Sequence, residues 1–192
     1  MMSSFPEILI LVLVALAVSA NVFSAVFLNG FLKTLPSGRL FVIAMMVAII
    51  IGVLGTIGLF LGYTIRFFTG SYTSWLSAII ILMLGLKLVI KSFKPKFNEM
   101  SWEMNKLAVL IGFSIASGIN FLLAGMSMII YPLTPLTVFL VFTVVCILVT
   151  LAGIFGGKKS KNFLLAARVE LAGGIMLTGI GTILLVNLFK MI

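Results

Sequence analysis

The chain has 192 residues, of which 62% are hydrophobic and only 9% charged, with a formal net charge of +9. A soluble domain carries about a quarter charged residues, so this is the composition of an integral membrane protein. There is no histidine or aspartate, and the only acids are Glu7, Glu99, Glu103 and Glu170, which excludes His-based catalysis and most metal hydrolases. A bilayer span takes about 20 mostly apolar residues. Six stretches qualify: Ile8–Leu28, Leu40–Tyr63, Trp75–Ile90, Leu107–Ile130, Leu136–Phe155 and Phe163–Leu188. The third is short and can extend at either end. The sixth is long enough to tilt or to start later, near Arg168.

The first span imitates a secretory leader, with Val18-Ser19-Ala20 in the place of a cleavage site. Its first seven residues carry Glu7 and no Lys or Arg, so it reads as a span instead. It contains Asn21 in the frame Ala17-x3-Asn21-x3-Ala25, and the fourth span repeats that frame as Ala116-x3-Asn120-x3-Ala124. At helical spacing the alanines flank the asparagine on one face. A carboxamide in hydrocarbon is costly without a partner, so each asparagine is expected to face another helix or a polar site. Ser24, Ser117 and Ser127 lie on or near the same faces. They can add hydroxyl ligands or bond back to their own helix carbonyls.

Basic residues concentrate in the odd loops. Lys33, Arg39, Lys91, Lys94, Lys96, Lys106, Lys158, Lys159, Lys161 and Arg168 stand on one side, against Arg66 and Lys190 on the other. This ten-to-two bias puts the odd loops in the cytoplasm and both termini outside. It also accounts for the net charge without nucleic acid. Spans 1–3 and 4–6 overlay on the two asparagine frames, and Leu84-Gly85-Leu86 matches Ile180-Gly181-Thr182. The expectation is an all-α membrane protein: one membrane domain, 1–192, of six transmembrane helices as two inverted three-helix repeats. The repeats, 1–93 and 105–192, are joined by a polar cytoplasmic linker, 94–104. Inverted repeats with a polar site near the midplane are typical of secondary transporters.

Two charges fall within spans. Glu170 is a candidate cation ligand or proton carrier, or else an interfacial ion-pair partner of Arg168 or Lys161. Lys87 is expected to snorkel to the nearby surface, in preference to pairing with Glu170 or lining a pore for an anion. Gly52, Gly55, Gly58 and Gly62, and Gly173, Gly174, Gly179 and Gly181, offer small faces for close helix packing. Cys146 reads as a packing residue. There is no Gly-x4-Gly-Lys-Ser/Thr loop and no base–nucleophile constellation, so an enzyme is not expected. No cofactor is implied.

The segments Ser19-Ala20-Asn21-Val22-Phe23-Ser24-Ala25, Ser117-Gly118-Ile119-Asn120-Phe121-Leu122-Leu123-Ala124-Gly125, Trp75 with Gly85-Leu86-Lys87, and Glu170-Leu171-Ala172-Gly173-Gly174 stand in the right order at the right spans. Together they resemble the first, fourth, third and sixth helices of the MntP-type manganese exporters, within the LysE-like exporter superfamily. In that family the asparagine positions are aspartates. The second helix lacks the family's polar position, since Ala48–Ile51 is apolar. The resemblance implies a transporter exporting a divalent cation, manganese first, with metal ligands at Asn21, Asn120 and Glu170. Ser24 and Ser117 join them as candidate substrate-binding residues. It implies the inner (plasma) membrane of a bacterium, with the lipid bilayer and a small ion or solute as partners; a homodimer is left open. Loss of both aspartates keeps two alternatives in view: an exporter of a small neutral or zwitterionic solute such as an amino acid, and a non-transporting partner subunit.

Overall fold

The computed structural model describes residues 5–32, 37–93, 106–159 and 163–190. The linker 94–104, with Lys94, Lys96, Glu99 and Glu103, lies outside them, as do Lys33 and Lys161. Six helices are each long and apolar enough to cross a membrane. They are α1 (Phe5–Leu32), α2 (Ser37–Thr69), α3 (Thr73–Phe93), α4 (Leu107–Ser127), α5 (Pro135–Lys159) and α6 (Phe163–Phe189). No strand occurs among the described residues. The protein is an all-helical, multi-pass membrane protein. The third span extends at both ends, the second runs to Thr69, and the sixth starts at Phe163 without waiting for Arg168.

Local chemistry accounts for the corners. A single turn of 3-10 helix, Gly70–Tyr72, joins α2 to α3, and Gly70 has φ +52°, a left-handed value that glycine adopts without steric cost. Pro135 opens α5 at the first helical position, where its missing N–H costs nothing. Thr134 Oγ1 accepts a hydrogen bond from the Thr137 amide at 3.2 Å, capping that start. The Tyr63 hydroxyl donates to the Leu133 carbonyl at 3.1 Å, tying this corner to α2.

The helices pack in matched pairs. α1 lies on α5 and α2 on α4, α3 crosses α6, and α2 meets α5. Glycines set the closest approaches. Gly58 and Gly62 of α2 lie against the carbonyls of Leu122 and Met126 of α4. Gly153 and Gly157 of α5 lie against the carbonyls of Phe23 and Phe27 of α1. The two sets correspond: Phe23 to Leu122 and Phe27 to Met126 are each steps of 99 residues, as is Asn21 to Asn120. Gly58 to Gly153 and Gly62 to Gly157 are each steps of 95. Likewise Gly85 meets Thr178 across α3 and α6, while Gly181 meets Leu82, both shifted by 96.

Val14, Val18, Val22, Ile51, Leu59, Ile81, Phe121, Phe142 and Leu177 fill the centre. Phe121 and Phe142 meet edge-on at 5.3 Å between ring centroids. Outward-facing Phe60, Met83, Leu148 and Ile183 are exposed on the bundle, as lipid-facing residues must be. Phe67, Phe68 and Tyr72 cluster at the α2–α3 corner and are largely exposed, the placement of an interfacial aromatic belt.

Candidate functional site

Close helix contact brings the polar side chains together. A Cβ at Gly173 would stand 2.6 Å from the Ala17 carbonyl oxygen, so α6 presses on α1 there. Glu170 precedes Gly173 by one turn and Asn21 follows Ala17 by one turn, and both face the same neighbour. A Cβ at Gly174 would stand 2.8 Å from the Val89 backbone nitrogen, and one at Gly85 2.5 Å from that of Thr178. These contacts seat α3 against α6. They aim Lys87 and Lys91, four residues apart on α3, at the asparagines and the glutamate.

The Lys91 ammonium donates a hydrogen bond to Asn21 Oδ1. It also lies 2.7 Å from Glu170 Oε1, an ion pair. Glu170 Oε1 is buried, and the Lys91 ammonium is its charge partner. The Lys87 ammonium donates to Asn120 Oδ1 at 2.7 Å. Asn120 and Glu170 are buried and Asn21 is half-buried. Four helices therefore supply one polar cluster: α1 gives Asn21, α3 both lysines, α4 Asn120 and α6 Glu170.

This arrangement corrects two expectations. Lys87 does not snorkel away from its neighbours. The residue is exposed, but its ammonium turns to Asn120, because an unpaired charge in the apolar layer is costly. Glu170 takes as its partner Lys91, a residue of α3, where the sequence pointed to Arg168 or Lys161. Arg168 is exposed.

The expected site residues separate into two groups. Asn21 and Glu170 meet at one ammonium, and Asn120 joins them through the lysine one helical turn away. Ser24 and Ser117 are buried on the same helices, one turn from Asn21 and Asn120. Ser127 Oγ donates to the Ala124 carbonyl at 2.7 Å, so it serves its own helix. Of the basic half of the site, the sequence offers Lys87 as a possible partner of Glu170, while Lys91 reads as a loop charge. The signal for the pair is two lysines spaced i, i+4, the first of them inside an apolar span.

Among the described residues no group of three or more His, Cys, Asp or Glu side chains gathers as a metal cluster. The oxygen donors are two amides and one carboxylate, facing two ammonium groups. Such a cluster can hold a cation on its oxygens or a carboxylate on its ammoniums. Two cavities lie elsewhere. One, of about 440 Å³, is lined by Arg39, Val42, Met46, Leu107 and Leu110. The other, of about 330 Å³, is apolar and lies between α2 and α5 at Thr56, Phe60 and Phe139.

Comparison with known proteins bears on the family of the chain. A family model, Mntp, described as "Putative manganese efflux pump", matches residues 34–185. A relative from Nitratidesulfovibrio vulgaris (strain DP4) with that same description is 27% identical over 171 residues, 88% of this chain and 85% of the relative. One from Wolinella succinogenes is 30% identical over 142 residues, covering 72% of this chain and 75% of its own length. One from Rippkaea orientalis is 24% identical over 174 residues, 90% of this chain and 92% of its own. No solved structure matches the chain. With six apolar spans in order, and a family match across four-fifths of its length, the chain belongs to the Mntp family.

Proposed function

We propose that this protein is a secondary transporter that exports a divalent cation, manganese first, by alternating access. The observation that carries the reading is the gathering of Asn21, Asn120 and Glu170, from three helices, around one face of α3. The relatives' description as manganese efflux pumps supports the substrate. Hard oxygen ligands suit manganese, and the carboxylate of Glu170 supplies the anionic one. The matched contacts of α1 on α5 and α2 on α4 support two inverted repeats that rock about their shared site. The chain carries no nucleotide-binding loop, so an ion gradient or the membrane potential drives transport. The charge bias supports a plasma membrane with both termini outside.

A second reading rests on the lysines. Two ammoniums and one carboxylate offer charges of both signs, which is what a zwitterionic solute such as an amino acid requires. Flux into liposomes holding the purified protein separates the readings. Manganese entry, reported by a trapped fluorescent chelator and lost in Glu170→Gln, is the expected result. Amino-acid flux without manganese flux would overturn it in favour of the second reading.

A further inference from the structure

We infer that Lys87 and Lys91 are tethered cations that occupy the substrate's oxygens, so that binding a transported cation requires displacing their ammonium groups. This rests on the cation reading above and adds to it the residues that set selectivity. The Asn120 side-chain oxygen is held by Lys87, and the Asn21 oxygen by Lys91. The carboxylate of Glu170 faces the same Lys91 ammonium. Each residue proposed for the metal thus already has a positive charge beside one of its oxygens. A metal ion placed on any of these oxygens with the lysines in position would meet the ammonium already held there, a like charge in a low-dielectric interior.

Three features suit these ammoniums to leaving. Both lysines stand on one face of one helix, so a small movement of α3 withdraws them together. The Lys91 side chain is 36% exposed and lies two residues before the end of α3, within reach of water beyond that end. Lys87 is itself an exposed residue. The consequence is a transporter whose empty site is filled by its own charges. A doubly charged ion competes with the ammoniums better than a singly charged one.

The test is manganese titration of the purified full chain in nanodiscs, read by loss of the free-ion electron paramagnetic resonance signal. The variants are Lys87→Met, Lys87→Arg and Lys87→Met with Lys91→Met. Lys87→Met is expected to tighten binding by about tenfold or more, the scale on which one close charge shifts an ionisation. The double variant should bind tighter still, and Lys87→Arg, which keeps the charge, should bind as the parent does. Lys87→Met leaves the Lys91–Glu170 pair intact, so it decides the matter even where the double variant fails to fold. Parent and Lys87→Met binding manganese equally would overturn the tethered-cation proposal and leave the cation reading standing. Absence of manganese binding in the parent and in every variant would overturn the cation reading, and this proposal with it.

Discussion

Gly58 lies so close to Leu122 that a Cβ on it would stand 2.0 Å from the Leu122 carbonyl oxygen. The obstacle is backbone, which cannot swing aside. Gly157 stands in the same relation to Phe27, at 2.2 Å. Gly58→Ala and Gly157→Ala are each expected to destabilise the bundle by about 1–3 kcal/mol, the usual cost of overpacking. Gly112 has nothing within 4 Å, so Gly112→Ala should be neutral or gain up to about 1 kcal/mol from helix propensity. Denaturation in mixed detergent micelles measures all three. A loss at Gly112 equal to that at Gly58 would contradict the packing.

Lys91 and Glu170 form the ion pair that links α3 to α6. Lys91→Met leaves a buried carboxylate without its partner. Removing one member of a fully buried pair costs about 3–5 kcal/mol, and the partial exposure of Lys91 lowers the expectation to about 2–3. Adding Glu170→Gln should restore most of the loss, because the orphaned charge is gone. A double-mutant cycle reads the coupling. Equal losses in Lys91→Met with and without Glu170→Gln would show that the pair carries no such energy.

Asn21→Asp with Asn120→Asp would place a carboxylate beside each lysine. A carboxylate with no partner in an apolar layer is costly. In the structure each meets an ammonium, so the metal-free variant should match or exceed the parent in thermal stability. Its manganese-dependent shift should stay small until both lysines are replaced by methionine. It should then approach the mass-action value, about 2.7 kcal/mol at a hundredfold excess over the dissociation constant. Melts with chelator and with manganese check this. A large shift with the lysines in place would count against their holding the site.

Thr143 Oγ1 is buried on α5 with no hydrogen-bond partner among the described residues, facing Gly52 of α2. Thr143→Val keeps the shape and removes the hydroxyl. It should stabilise the protein by about 1–2 kcal/mol, the penalty of an unmade buried hydrogen bond. A destabilised Thr143→Val would mean that the hydroxyl has a partner.

Orientation is checked by single cysteines at Lys159 and Arg66, in a chain with Cys146 replaced. Position 159 is expected to react only from the cytoplasm and position 66 only from outside, following the bias of basic residues. Reaction of both from one side would reverse the topology.

The spans were legible because 20-residue apolar runs have few other readings, and the asparagines because a carboxamide stands out against valine and leucine. The small-residue faces were legible as close contacts, and Gly58, Gly85, Gly153 and Gly174 make them. The role of α3 was not. A lysine near a helix end has a stem long enough to reach either water or a buried acceptor. What decides for Lys87 is Asn120, a residue 33 positions away on another helix. Lys91 reads as a loop charge when the third span ends at Ile90, three residues before α3 ends. A boundary shift of one turn thus separates Lys91 from the site.

At 1.5 Å per residue the 33 residues of α2 rise about 50 Å, while a bilayer's hydrocarbon layer is about 30 Å thick. Its neighbour α3, with 21 residues, rises only about 32 Å. Two helices so unequal cannot both match one lipid thickness while standing upright. α2 must lean or protrude, with Phe67 and Phe68 at its far end gripping the headgroup layer. Any motion that changes the lean of α2 then works against hydrophobic mismatch, and acyl-chain length becomes a variable that the cell membrane can set.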